Sequence, residues 1–226
     1  MTDLPTPLVS TEWLAAHLGE KDLAIIDGSW RLPGSGHAID DYKKRHIADA
    51  VFFDIDAVAD KSTDLPHMLP SPETFSKAVG AMGISREARV VVYDDQGLFS
   101  AARVWWTFKA MGHEKVAVLN GGLKKWLAEN RPVTDEVSKP KAAAYRAARV
   151  SARVADAAAL RDALKEGACV LDARPAGRFD GKDPEPRPGL RCGHMPGASN
   201  VPAGSLIAPD GTMKPREELM HALAAA

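Results

Sequence analysis

The residues best placed to do chemistry lie in one stretch, residues 90–106. It opens with the β-branched run Val90, Val91 and Val92, and then turns through Asp94, Asp95, Gln96 and Gly97. From Ser100 it carries Ala101, Val104, Trp105 and Phe108 at spacings of three and four. The first part reads as a short buried strand and the last as a helix. A strand, a tight loop and a helix start in that order form an anion cradle, because the loop amides and the first-turn amides converge on one point. Catalysis at such a point needs a nucleophile in the loop, and this loop holds two aspartates instead. Two neighbouring carboxylates with no His or Cys beside them make a poor metal site, so no metal and no cofactor is expected.

The other reactive side chains are few. Of two cysteines, Cys169 falls inside an apolar run and reads as a buried structural thiol. Cys192 lies in a polar turn beside Gly193 and His194, more accessible but without a strand–loop–helix around it. His67 stands among the prolines at 66, 70 and 72, where a plain surface-loop histidine is the simpler reading. Arg178 and Arg187 lie in a polar, proline-rich loop that by itself would suggest a solvated surface.

The elements that must position these groups alternate. Helical patterns at residues 10–18, 72–82 and 123–127 separate short apolar strands at 23–28, 50–56, 90–93 and 116–119, and a further short exposed helix is expected at 40–47. That alternation predicts an α/β domain with a mainly parallel sheet flanked by helices. Trp105 and Trp106 are expected to pack in its core and against a second domain. Residues 136–149 lack apolar periodicity and read as a linker, so the expected domains are 1–135 and 150–226. The second begins with a helix at 154–164 and a strand at 168–174.

An internal repeat ties the halves together. Ile26 and Asp27, then His46 through Ala50, then Phe53 have counterparts in Leu171 and Asp172, His194 through Ala198, and Val201. His46 and His194 hold equivalent places, which favours a structural turn role. The second copy of the cradle would fall after Ala226, so the second domain is expected to be incomplete at its C-terminal side.

With 226 residues, 45% hydrophobic content and a net charge of −1, the chain has enough apolar material for a core and no electrostatic case for nucleic acid. No apolar run approaches the ~18 residues of a membrane span, and no leader pattern opens the chain, so a cytoplasmic protein without membrane partners is expected.

Several motifs in order give the sequence a resemblance to the tandem-rhodanese sulfurtransferases of the 3-mercaptopyruvate and thiosulfate type. They are the run from Asp27 to Trp30, His46 to Asp56, His67 to Pro70, Val91 to Ser100, and Arg103 to Trp106. Leu119 to Leu123, Asp172 to Arg174, Gly177 to Phe179, Glu185 to Arg187, and Gly193 to Ala198 complete the set. The resemblance implies two rhodanese-like domains. The first would be non-catalytic, with Asp95 in its cradle loop, and the second would carry the nucleophilic cysteine in a loop beyond residue 226. It implies that Arg178 and Arg187 hold the carboxylate and carbonyl of a 2-oxo thiol acid, which tilts the expected donor from thiosulfate towards mercaptopyruvate. It implies that Asp56 and His67 assist proton transfer. The expected partners are a small-molecule sulfur donor and a thiol or cyanide acceptor. The chain as given, lacking the cysteine loop, is expected to be inactive alone. The competing expectation is a non-catalytic rhodanese-like binding or regulatory protein.

Overall fold

In the computed structural model, which describes residues 4–5, 7–187 and 189–224, the apolar runs form strands and the periodic runs form helices. The chain divides into two compact units, one reaching to Arg153 and taking in 210–212, the other made of 154–209 and the residues from Met213 on.

The first unit is built in chain order from β1 (Leu8–Val9), α1 (Thr11–His17), β2 (Leu23–Asp27), α2 (Ala38–Lys44), β3 (His46–Ile47) and β4 (Val51–Phe52). There follow α3 (Pro72–Ala81), β5 (Arg89–Tyr93), α4 (Ala101–Ala110), β6 (Val116–Leu119), α5 (Gly122–Ala128) and β7 (Val133–Thr134). Ser10 caps α1 by accepting the Trp13 N–H at 3.1 Å, and Ser71 caps α3 ahead of its first-turn proline. The main sheet has the order β1-β6-β5-β2-β4, every pair parallel, while β3 and β7 form a short antiparallel pair. All residues of β5 and β6 are buried, as continuous apolar strands in a sheet covered on both faces must be.

One face packs Val90, Val92 and Val118 against Phe75 of α3 and Val104 and Phe108 of α4. The other packs Val91, Tyr93 and Leu119 against Leu14, Tyr42 and Trp126. Trp105 borders the first of these clusters, half-buried, and its indole N–H donates to the Val116 carbonyl at 3.0 Å. The strand expected over residues 50–56 stops at Phe52, because Asp54 turns the chain by accepting the amides of Asp56 and Ala57, each at 2.9 Å. Helix α2 is less exposed than its polar sequence suggests: Tyr42 is buried and donates to the Ala50 carbonyl at 2.8 Å.

Residues 136–149, expected as a linker, run as an extended strap along this unit. The Ala143, Ala148 and Val150 amides donate to the carbonyls of Gly80, Met111 and Ala110 at 2.9, 3.1 and 2.8 Å. Tyr145 reaches inward to His113, whose Nδ1 is 3.0 Å from the Tyr145 hydroxyl and whose Nε2 is 3.0 Å from the Ala88 carbonyl.

The second unit contains α6 (Ala157–Lys165), β8 (Val170–Asp172), α7 (Ala176–Phe179), β9 (Ala198–Asn200) and α8 (Arg216–Ala224). Its β8 and β9 are parallel and form a two-stranded sheet. Here Cys169 departs from expectation. The strand begins one residue later, at Val170, and Cys169 is exposed, as is Leu171 at 45%. The physical reason is that β8 pairs with β9 alone among the described residues, so an apolar run that would be buried in a full parallel sheet has one open side.

The repeat read from the sequence is present atom by atom. Asp27 Oδ1 accepts the Ser29 amide, and Asp172 Oδ1 accepts the Arg174 amide, both at 2.9 Å. Phe53 donates its amide to the Asp27 carbonyl at 2.8 Å, and Val201 to the Asp172 carbonyl at 3.0 Å. His46 stacks on Tyr42 with its Nδ1 at 2.6 Å from the Tyr42 carbonyl, while His194 stacks on Phe179 with Nδ1 at 2.8 Å from the Phe179 carbonyl. Both histidines are turn staples.

After each histidine comes a turn closed by Ala50 to the Ile47 carbonyl, or Ala198 to the Met195 carbonyl, at 3.1 and 3.0 Å. Its third position has φ +87° at Gly197 but is occupied by Asp49, at φ +63°, in the first unit. Aspartate tolerates that conformation better than most side chains, whereas a β-branched residue does not. Asp49→Val is therefore expected to lose about 1–2 kcal/mol in urea unfolding, with Asp49→Gly tolerated without loss. Equal stability of the two variants would contradict this account of the turn.

Candidate functional site

The cradle predicted between β5 and α4 exists, and it is filled from within. Asp94 Oδ1 accepts the amides of Gln96 and Gly97 at 3.0 and 2.7 Å. Its Oδ2 accepts those of Phe99, Ser100 and Ala101 at 2.7, 2.8 and 2.8 Å. The residue is 1% exposed. Five backbone donors thus converge on a carboxylate tethered to the loop itself.

Asp95, the residue expected to mark this loop, is in it but faces elsewhere. Its carboxylate pairs with Arg31, at 2.9 Å from Nη1, and Arg31 also bridges to Asp41 at 2.9 Å. The reason is strand alternation. Asp94 continues the face of Val90 and Val92, which looks towards α4, and Asp95 the face of Val91 and Tyr93, which looks towards α2. The two carboxylates hold Arg31 in its charged form, raising its pKa further, with the Asp95 bond the largest cause.

Asp56 and His67 are brought together. Asp56 Oδ1 lies 2.6 Å from His67 Nδ1, and Asp56 Oδ2 accepts the Trp30 indole N–H at 2.9 Å. A carboxylate oxygen at that distance favours a proton on Nδ1 and leaves Nε2 as the ring's basic nitrogen, an arrangement that general acid–base work uses. His67 adopts φ +57°, Trp30 meets its ring edge-on at 5.0 Å, and Arg103 donates to its carbonyl. Burial pushes the Arg103 guanidinium pKa down. Trp30, Arg31 and Asp56 also line a cavity of about 280 Å³ together with His37, Phe52 and Ile55.

In the second unit Arg178 lies within the single turn of α7, and Arg187 lies half-buried in the loop after it. Arg178 donates through Nε and Nη2 to Glu185 Oε2, at 3.1 and 2.5 Å. The other oxygen of Glu185 accepts Arg174 Nη1 at 2.8 Å, and the Glu185 side chain is 5% exposed. Arg174 in turn is bonded to both Asp172 oxygens and to the Gly193 carbonyl. The Arg178 bond holds the Glu185 carboxyl below its usual range, and the Arg174 bond does the same for Asp172.

Trp30, Arg103, Arg174 and Glu185 lie within the sequence motifs, but the sequence alone points to no role for them. The usable signal was pairing of opposite charges at short separation, as in Arg178 and Glu185. Cys192 is exposed, as its polar turn suggested, and neither it nor Cys169 sits between a strand and a helix N-terminus. Among the described residues no three His, Cys, Asp or Glu side chains converge as metal ligands, and no helix is long and apolar enough to cross a membrane.

Residues 10–129 match the rhodanese-like domain family. The chain is 40% identical over 222 residues to 3-mercaptopyruvate sulfurtransferase of Homo sapiens, covering 95% of this chain and 75% of that protein. It is 41% identical over 220 residues to thiosulfate sulfurtransferase of Rattus norvegicus, covering 94% of this chain and 74% of that one. Its fold superimposes on the crystal structure of a 3-mercaptopyruvate sulfotransferase from Escherichia coli with a TM-score of 0.89 and 36% identity, over 98% of this chain and 84% of the other.

Proposed function

Since the chain belongs to the rhodanese-like sulfurtransferases, we propose that it is part of an enzyme of the 3-mercaptopyruvate type. The observation that carries the choice of donor is the guanidinium of Arg178. It is held rigidly through one edge by Glu185, in a loop that also supplies Arg187. Planar fixed donors suit the coplanar oxygens of a 2-oxo acid better than the tetrahedral head of thiosulfate.

In this reading a cysteine thiolate outside these 226 residues attacks the sulfur of 3-mercaptopyruvate. The new S–S bond forms as the C–S bond breaks, and the electron pair passes to the departing carbon as the enolate of pyruvate. Arg178 and Arg187 hold the carboxylate and carbonyl and stabilise that developing charge. A proton then converts the enolate to pyruvate, with Asp56 and His67 assisting proton movement. The persulfide passes its outer sulfur to a thiol or to cyanide. The first unit's cradle takes no part, since Asp94 already occupies it. We further propose a cytoplasmic setting, whose reducing conditions suit the exposed thiols of Cys169 and Cys192.

Supplying the 226-residue chain and the natively expressed protein with 3-mercaptopyruvate, and separately with thiosulfate, tests this. Pyruvate release and a mass gain of one sulfur are expected from the native protein with mercaptopyruvate and from neither donor with the chain alone. Turnover by the chain with a persulfide on Cys192 would overturn the assignment of the nucleophile. Preference for thiosulfate in the native protein would overturn that of the donor.

A further inference from the structure

The two repeats share a strand aspartate that caps its own i+2 amide, a stacked histidine and a closing turn, and the first repeat builds all of these without an arginine. Ser29 stands where Arg174 stands. Helix α2 runs almost directly into His46, whereas residues 180–193 intervene between α7 and His194. That inserted segment brings Glu185, and with it a continuous ion-pair relay from Asp172 through Arg174 and Glu185 to Arg178. The fold of the repeat does not need the relay, so its presence in one copy calls for another reason.

The geometry supplies one. All three nitrogens of Arg174 are engaged, by Asp172, Glu185 and the Gly193 carbonyl, so it acts as a fixed post. Glu185, nearly buried, divides its oxygens between two guanidinium groups and so cannot swing towards one without releasing the other. Arg178 is gripped through Nε and Nη2, and its bonds in the structure leave Nη1 on the opposite side of the guanidinium fork. A long arginine side chain loses rotamer freedom when a ligand immobilises it, and a side chain already held escapes that loss.

We infer that Glu185 is a positioning residue. Its carboxylate, itself fixed by Arg174, sets the plane of the Arg178 guanidinium so that the Nη1 edge receives the carboxylate of a 2-oxo acid. The inference rests on the reading of Arg178 as the donor anchor. Along the relay the charges of Asp172, Arg174, Glu185 and Arg178 alternate and cancel, so each group is held by its neighbours.

Pyruvate titrated into the full 226-residue chain, followed by NMR of the arginine Nε–H signals, tests the two claims separately. The variants are Arg178→Ala and Glu185→Gln, each with its thermal midpoint measured. The expected result is that Arg178→Ala loses saturable binding. Glu185→Gln, which keeps the shape and removes the charge, should remain folded, broaden the Arg178 Nε–H signal and weaken binding about tenfold. Unchanged affinity in Glu185→Gln beside an impaired Arg178→Ala overturns the positioning role and leaves the anchor standing. Loss of folding in Glu185→Gln also overturns it, since the carboxylate would then be a structural strut. Unchanged affinity in Arg178→Ala, or no saturable binding by the parent chain, overturns the anchor and the inference with it.

Discussion

Replacing Asp94 with alanine is expected to lower the stability of the first unit by about 4 kcal/mol. The side chain accepts five backbone N–H groups at 2.7–3.0 Å and is 1% exposed, so its removal strands five donors in a site that water reaches poorly. Hydrogen bonds to a charged acceptor contribute about 1.5–3 kcal/mol each when taken singly, and donors that share one acceptor do not add. The estimate is therefore set by the loss of a buried charged partner rather than by five independent bonds. For a unit of this size the loss corresponds to a fall in melting temperature on the order of 10 °C.

Asp94→Asn keeps one acceptor oxygen and turns an NH2 group towards the remaining donors, so it should fall between the parent and alanine. The emptied ring of amides in Asp94→Ala is an anion site in its own right, and added sulfate should restore part of the lost stability by binding the folded form. Urea unfolding followed by tryptophan fluorescence, with and without sulfate, reads both effects. A loss below about 1 kcal/mol, or no response to sulfate beyond that of the parent, would mean the loop relaxes around the missing carboxylate.

The second large effect is hidden in the parent protein because two buried groups oppose one another. Burial pushes Asp27 from 3.8 up to about 6, and burial pushes His113 from 6.5 down to about 4. Between pH 3.8 and 6 the folded state keeps a proton on Asp27 that the unfolded chain has released, so stability falls as pH rises through that window. Between pH 4 and 6.5 the unfolded chain protonates His113 while the folded state does not, so stability falls as pH drops. Each shift of about two units corresponds to about 3 kcal/mol, and over the shared window the two slopes nearly cancel.

Single variants unmask them. Relative to the parent, Asp27→Asn should gain about 3 kcal/mol as pH rises from 4 to 6, because the aspartate's penalty is gone. His113→Gln, uncharged and still able to donate and accept, should lose about as much relative to the parent over its own window as pH rises. Taking differences from the parent removes the contribution of the exposed carboxylates. Parallel pH profiles for parent and both variants would show that neither group titrates between its folded and unfolded values.

Much of the architecture was legible in the chain. The order of strands and helices, the cradle between β5 and α4, and the repeat joining Asp27 and His46 to Asp172 and His194 all follow from apolar periodicity and spacing. These are local properties, and local patterns survive folding. Boundaries were less legible where a side chain intervenes, as when Asp54 ends the strand after Phe52. Cys169 was misjudged because burial of a strand depends on its neighbours in the sheet, which no residue of that strand encodes.

The chain by itself determined which residues are close in sequence and which faces are apolar, while its ordered motifs carried the rhodanese-like resemblance, and that resemblance implied the roles of Asp56, His67, Arg178 and Arg187. Only the tertiary structure decided which aspartate of the pair at 94 and 95 fills the cradle, that Trp30 and Arg103 frame His67, and that Glu185 is the group between Arg174 and Arg178. The physical reason is the same in each case. Hydrogen bonds and ion pairs fall off within a few ångströms, so their partners are set by how the strand pleat and the packed helices bring distant residues together. That distance in space is not written in the distance along the chain.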